Sequence, residues 1–128
     1  MLDLGDDLEA MAREVVDAGF QVHRELGPGL LERIYETALV YELEAKGLRV
    51  ERQVMVPLCY KGILLQDPLR LDLLVEGSII LEVKAVDVIL ALHKAQLLSY
   101  LKLSGRRLGF LMNFNVPTYK EGLHRLVR

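Results

Sequence analysis

Residues 69–84 read Leu69-Arg-Leu-Asp72-Leu-Leu-Val-Glu76-Gly-Ser78-Ile-Ile-Leu-Glu82-Val-Lys84, and this stretch decides the fold. Two apolar runs flank Glu76-Gly77-Ser78. Runs of Leu, Val and Ile bounded by turn residues predict strands buried on both faces. Into this hydrocarbon the sequence sets Asp72, Glu82 and Lys84. A buried carboxylate is costly, so such groups are paired or bound to a metal. Glu82 and Lys84 are two apart on one strand and share a face. Asp72 comes from the partner strand, and its side depends on the turn. A three-residue loop, Glu76 to Ser78, sets Asp72 opposite Glu82 and makes all three groups converge. A two-residue loop puts the acids on opposite faces unless a bulge corrects the register.

The chain has 128 residues, which predicts one domain over 1–128 with a real core. Hydrophobic residues make up 52% and charged residues 27%, the balance of a globular rather than a disordered chain. No apolar run is long enough to cross a bilayer. The start, Met-Leu-Asp-Leu-Gly-Asp-Asp, is acidic and has no signal-peptide pattern, so the expectation is a cytoplasmic protein without a membrane partner. Cys59 is the single cysteine and reads as a small strand residue in a reducing compartment. Charge is uneven. Residues 1–48 carry 4 Lys/Arg and 11 Asp/Glu, a net of −7, whereas residues 49–128 carry 12 and 7, a net of +5. The second part can offer a modestly basic surface to a phosphate backbone, although a solvated surface beside an acidic first helix explains the same numbers.

Outward from the hairpin, residues 6–25 predict an amphipathic helix with Leu8, Met11, Val15, Ala18, Val22 and Leu26 at helical spacing. Asp6 and Asp7 suit its positive N-terminal end, and Gly27-Pro28-Gly29 stops it. A second helix is expected from Leu30 to Lys46, with Leu31, Ile34, Tyr35, Ala38, Leu39, Tyr41, Leu43 and Ala45 as a broad apolar face and Gly47 as its stop. Residues 48–60 alternate with period two and predict a strand, in which Pro57 implies an edge or a bulge. A short apolar piece, 63–65, precedes the hairpin. After Lys84 a crossover leads into a helix from Ile89 to Ser104, with Leu92, Ala95, Gln96, Ser99, Tyr100 and Leu103 on one face. Residues 107–114 predict a strand paired in the same sheet. The type of element over 119–128 stays open. The order ααβββαβ predicts an α/β fold, a mixed sheet flanked by helices.

Asp72 followed by Glu82-x-Lys84 resembles the core of the PD-(D/E)xK nuclease superfamily. Gln96-Leu-Leu-Ser-Tyr100 resembles the QxxxY signature of one exonuclease-like branch. Gly29-Leu-Leu-Glu32-Arg-Ile-Tyr35 matches the motif of the GxxExxY protein family, a group placed in that superfamily. His23-Arg-Glu-Leu-Gly-Pro-Gly, the stretch His93-Lys-Ala-Gln96, and Asn113-Phe-Asn-Val-Pro are similar to that family too. The superfamily's Pro is missing before Asp72, where Leu71 stands, and Pro68 lies earlier. The resemblance implies a restriction-endonuclease-like fold and a metal-dependent nuclease acting on DNA or RNA. It also implies Mg²⁺ or Mn²⁺ held by Asp72 and Glu82, with Glu32 as a further metal contact. Lys84, Gln96 and Tyr100 become the catalytic set. The chemistry is consistent: a divalent ion acidifies bound water and polarises the phosphoryl group, and Mg²⁺ prefers one or two carboxylates with water and phosphate. The Val83 carbonyl could complete the shell, and Lys84 could orient the water or stabilise the anionic transition state.

Read singly, each residue has a plainer role. Glu82 with Lys84 is a charge pair at a sheet rim, and Asp72 decorates an edge. Tyr35 and Tyr100 are core aromatics with a satisfied hydroxyl, and Gln96 caps a buried backbone group. His93 is a solvated helix residue. The competing function is a catalytically silent nucleic-acid-binding or assembly module of the same fold. The small size and acidic first helix also suit a homodimer.

Overall fold

The computed structural model describes residues 4–128. The elements run α1 (Asp6–Leu26), α2 (Glu32–Ala45), β1 (Val50–Val56), β2 (Cys59–Tyr60), β3 (Ile63–Leu64), β4 (Leu69–Val75), β5 (Ile79–Lys84), α3 (Ala91–Ser104), β6 (Leu108–Asn113), α4 (Tyr119–Gly122) and β7 (Leu123–Val127). Five strands make one mixed sheet in the order β1-β4-β5-β6-β7, and β2 with β3 forms a separate two-stranded ribbon. β5 and β6 are parallel and joined through α3; the other sheet neighbours are antiparallel. This is the expected restriction-endonuclease-like mixed sheet flanked by helices.

The two sheet faces carry separate cores. Val15, Ala18 and Val22 of α1 and Tyr35, Leu39 and Leu43 of α2 pack on Leu73, Ile79, Leu81, Val83 and Phe110. Leu97 and Leu101 of α3 pack on Leu71, Leu74, Ile80 and Leu111 across the sheet. β5 is central, and Ile79 to Val83 are all buried, which is what its continuous apolar sequence demands. Burying each such Leu or Ile side chain contributes roughly 1.5–3 kcal/mol. α3 comes close to β6 at Gly109, where an added Cβ would stand 3.0 Å from Leu97.

Three expectations change in detail. The strand expected over 48–60 breaks at Pro57, and β1 ends at Val56 as a sheet edge. Proline lacks the N–H that a continuing strand needs. The apolar face of α2 is narrower than expected, and α3 buries a different face from the expected one: Leu92, Ala95, Gln96, Ser99 and Leu103 are exposed, Tyr100 is half-buried, and Leu97 and Leu101 meet the sheet. Leu31 and Tyr41 of α2 are each 72% exposed, and Leu92 of α3 is 73% exposed. Leucines stand on several sides of α3, with Leu92, Leu98 and Leu103 exposed, so spacing could not reveal that Leu97 and Leu101 face the sheet. The open C-terminal stretch is a short helix followed by β7, antiparallel to β6.

Candidate active site

β4 and β5 part beyond the rung Leu73–Leu81. The turn that joins them is closed by the Ser78 N–H donating to the Val75 carbonyl at 2.9 Å. Glu76 and Gly77 lie at φ 51° and 63°, the positive values that suit a tight hairpin turn. Ser78 adds the third loop residue, and Val75 pairs with Ile79. The register Leu74↔Ile80 and Leu73↔Leu81 then carries on to set Asp72 opposite Glu82. This is the three-residue alternative, and the acids do converge.

At that point carboxylates replace the backbone ladder. The Asp72 N–H donates to Glu82 Oε2 at 2.8 Å, and the Val83 N–H donates to Asp72 Oδ2 at 2.9 Å. Each acid therefore lies across the gap between the strands and satisfies a donor of the other. Burial pushes the Glu82 carboxyl up to about 8, with the Asp72 charge adding to it; the Asp72 N–H and Lys84 pull the other way. Asp72 is also raised, first by burial, while the Val83 N–H opposes and Glu36 pushes further up; Lys84 opposes and Glu32 adds to the rise. Burial and mutual repulsion therefore both favour protonation of the pair, and a nearby positive charge opposes it. Lys84 is partly buried at the end of β5, where its carbonyl accepts the Phe114 N–H at 2.9 Å.

An open cleft of about 240 Å³ reaches Asp72 and is lined by Glu32, Arg33, Glu36, Gln53, Arg70, Asp72 and Val83, whereas Glu82 lies buried behind it and neither Glu82 nor Lys84 forms part of its wall. Glu32 reaches it because of Tyr35. The Tyr35 hydroxyl donates to the Gly27 carbonyl at 2.6 Å and accepts the Leu30 N–H at 3.0 Å. Its ring stacks on Phe114 at 4.8 Å. Tyr35 is fully buried and pins the turn between α1 and α2, so it is a structural residue that fixes where Glu32 begins its helix.

Tyr100 packs at the margin of the α3 core, and its hydroxyl is raised by burial and then by the charges of Glu82 and Asp72, with Arg70 opposing. It stands within reach of the acids electrostatically and stays a hydrogen-bond donor at neutral pH. Gln96, one turn earlier on α3, is exposed, and no hydrogen bond ties it to Asp72, Glu82 or Lys84. His93 caps α3: its Nδ1 accepts the Leu90 N–H at 2.9 Å. His23 Nε2 donates to the Val116 carbonyl at 2.8 Å, far along the chain. Asn113 bridges Val86, with its Nδ2 donating to the Val86 carbonyl at 2.9 Å and its Oδ1 accepting the Val86 N–H at 3.0 Å, and so holds the crossover that follows Lys84.

Arg33, Glu36, Gln53 and Arg70 line the cleft and escaped the sequence reading. Glu36 is buried, with Arg52 and Gln53 bonded to its two oxygens at 3.1 and 2.7 Å. Its position four residues after Glu32 puts it on the same helix side, a signal that was available. Arg70, two residues before Asp72, brings a positive charge to the mouth. A larger cavity of about 440 Å³ between α1, α4 and β7 is mostly apolar and shares no residue with this constellation.

The donor set suits a hard divalent ion. Asp72 and Glu82 each commit one oxygen to a backbone N–H. No buried side-chain N or O among the described residues lacks a hydrogen-bond partner, and of the two acids it is Asp72 that lines the cleft. Among the described residues no three His, Cys, Asp or Glu side chains form a ready metal cluster, and Glu32 stands in the cleft without completing one. Two carboxylates supplemented by water and phosphate is the arrangement Mg²⁺ favours.

Searches among curated proteins and among solved structures found no match. A family model described as the PD-(D/E)XK nuclease superfamily matches residues 9–126, nearly the whole chain and every strand that builds the cleft. On that match, the chain belongs to the PD-(D/E)XK nuclease superfamily.

Proposed function

We propose that this chain is a single-domain, metal-dependent nuclease that hydrolyses phosphodiester bonds of DNA or RNA, with Mg²⁺ or Mn²⁺ held by Asp72 and Glu82. The observation that carries the reading is the reciprocal Asp72–Glu82 arrangement at the open end of the hairpin, within the electrostatic reach of Lys84. The Gly29-x-x-Glu32-x-x-Tyr35 pattern further supports a place in the GxxExxY group.

A bound divalent ion would supply an acidified water and polarise the phosphoryl oxygen. The chain's residues do the rest. Asp72 and Glu82 each commit one oxygen to a backbone N–H of the other strand, and burial raises the proton affinity of both, which a cation would oppose. Lys84 adds a fixed positive charge where negative charge develops on the phosphoryl group, which lowers the barrier most when it is held in place beforehand. Glu32, at the first turn of α2, lines the same cleft as Asp72 and would support a bound ion directly or through water. Arg70 at the mouth draws the phosphate backbone in. The Tyr100 hydroxyl donates to a phosphate oxygen, and Gln96 meets the substrate from the exposed face of α3.

The test is cleavage of single-stranded, duplex and branched DNA and RNA with Mg²⁺ or Mn²⁺, comparing the native chain with Asp72→Ala. Metal-dependent cutting that the substitution abolishes is the expected result. Equal behaviour of both proteins on every substrate refutes the reading.

A further inference from the structure

Gln53 stands in the middle of an edge strand with a left-handed backbone, φ 52°. The other two non-glycine residues with positive φ among those described, Lys61 and Glu76, are at turns. A long side chain adopts this backbone rarely, and such outliers persist where their surroundings hold them. The outlier lies directly across from Asp72. The β1–β4 ladder runs from Val50↔Val75 to Arg52↔Leu73 and resumes at Val54↔Leu71. Gln53 and Asp72 face each other in that register without pairing.

Two further observations show what the distortion does. Neighbouring residues of a regular strand point to opposite faces. Arg52 and Gln53 nevertheless both bond to Glu36 of α2, at 3.1 and 2.7 Å. The strand also changes sides at this point. Val50 packs in the α1–α2 core, whereas Val54 and Val56, of the same parity, pack in the α3 core. β4 does the same: Leu73 belongs to the α1–α2 core and Leu71 to the α3 core. The Gln53–Asp72 position is thus a local turnover of the strand pair. There the Asp72 side chain bonds to the backbone of β5 rather than packing on either face.

We propose that Gln53 is a positioning residue for the metal-binding acids. Its left-handed backbone frees Asp72 from the β1 ladder. Its amide, with Arg52, occupies both oxygens of Glu36 and anchors the turnover to α2. Asp72 is then free to reach across to Val83 and keep its other oxygen toward the cleft. This deepens the proposed metal reading and rests on it only for its second measurement.

The first measurement needs no metal. Amide hydrogen exchange is followed by NMR in the native chain and in Gln53→Ala, at Asp72 and Val83 and, as internal controls, at Leu74 and Ile80. Exchange at Asp72 and Val83 is expected to accelerate about ten-fold or more, with Leu74 and Ile80 changing less than about two-fold. The second is calorimetric titration with Mn²⁺ alone, where affinity is expected to fall about ten-fold, the usual size for loss of a supporting contact. No change at Asp72 and Val83 overturns the proposal. Equal acceleration at all four amides also overturns it, since Gln53 would then be a structural residue only. If Gln53→Ala does not fold, Gln53→Asn, whose shorter amide tolerates the left-handed backbone, is read in the same way. If Asp72→Ala takes up Mn²⁺ like the native chain while the two amides still respond to the Gln53 change, the metal reading falls and the positioning role stands.

Discussion

The two ends of the β4–β5 hairpin are built from one pair of strands and behave oppositely. At the turn end, Leu73, Leu74 and Val75 pair with Leu81, Ile80 and Ile79, and every one of these side chains is buried. At the far end the strands separate, and Asp72 and Glu82 bond to backbone groups where a ladder would otherwise continue. The difference teaches how a stable hairpin can carry an unstable feature. Two carboxylates with raised proton affinity oppose folding at neutral pH, and three buried apolar rungs next to them offset it. The hydrocarbon end gives rigidity, and the carboxylate end gives a place for a cation.

That contrast can be broken from either side. Asp72→Asn keeps the shape and removes the charge, and is expected to lower metal-dependent cleavage about a thousand-fold, roughly 4 kcal/mol of transition-state stabilisation, in a single-turnover assay. Leu81→Ala acts on the other end. It should cost roughly 3 kcal/mol in urea unfolding while the remaining folded protein keeps its Mn²⁺ affinity. Cleavage lost by Leu81→Ala in fully folded protein would show that the two ends are not separable.

The next effect is smaller and depends on pH. Glu82 titrates at about 8 when folded, against an ordinary carboxylate value near 4.5 when unfolded. The folded state therefore holds an extra proton between these values. The stability this gives is full below about 4.5 and is lost as pH rises through about 8. Metal-free protein should lose about 2 kcal/mol over that window, less than the full shift implies, because water enters the open cleft. Glu82→Gln should flatten the thermal-melting profile, as should millimolar Mg²⁺. An unchanged slope in Glu82→Gln would reassign the titration. Smallest of all, Gly77→Ala at the turn end should cost about 1 kcal/mol, because alanine resists the positive φ of 63° found there.

The sequence made the hairpin legible because its residues conflict with their setting. Acids inside an apolar strand demand partners; that demand made the loop length the deciding question, and the pairing Val75↔Ile79 answered it with three residues. The helix–strand crossover and the edge position of β1 followed from patterning and from Pro57. What stayed hidden has physical reasons. Leu92, Leu98 and Leu103 make α3 apolar on faces that stay exposed, so periodicity could not choose between faces or show that Gln96 is exposed. Gln53 looks like any polar strand residue, since a backbone angle leaves no mark in composition. Glu36 was overlooked beside Glu32 because a buried acid is recognised by its partners, Arg52 and Gln53, which come from another element. The C-terminal strand is brief, and only pairing with β6 defines it.

The hairpin's locality has a consequence for the order of assembly. Asp72 and Glu82 are joined by a short loop, whereas Ile79 must find Leu108 across 29 residues to complete the parallel pair. Short-range closure is the faster event. A newly made chain therefore brings its two acids together before β6 arrives to cover β5, and they meet while water still reaches them. The close approach of the two acids is thus made while solvent can still screen their charges, and the burial that raises their proton affinity comes afterwards.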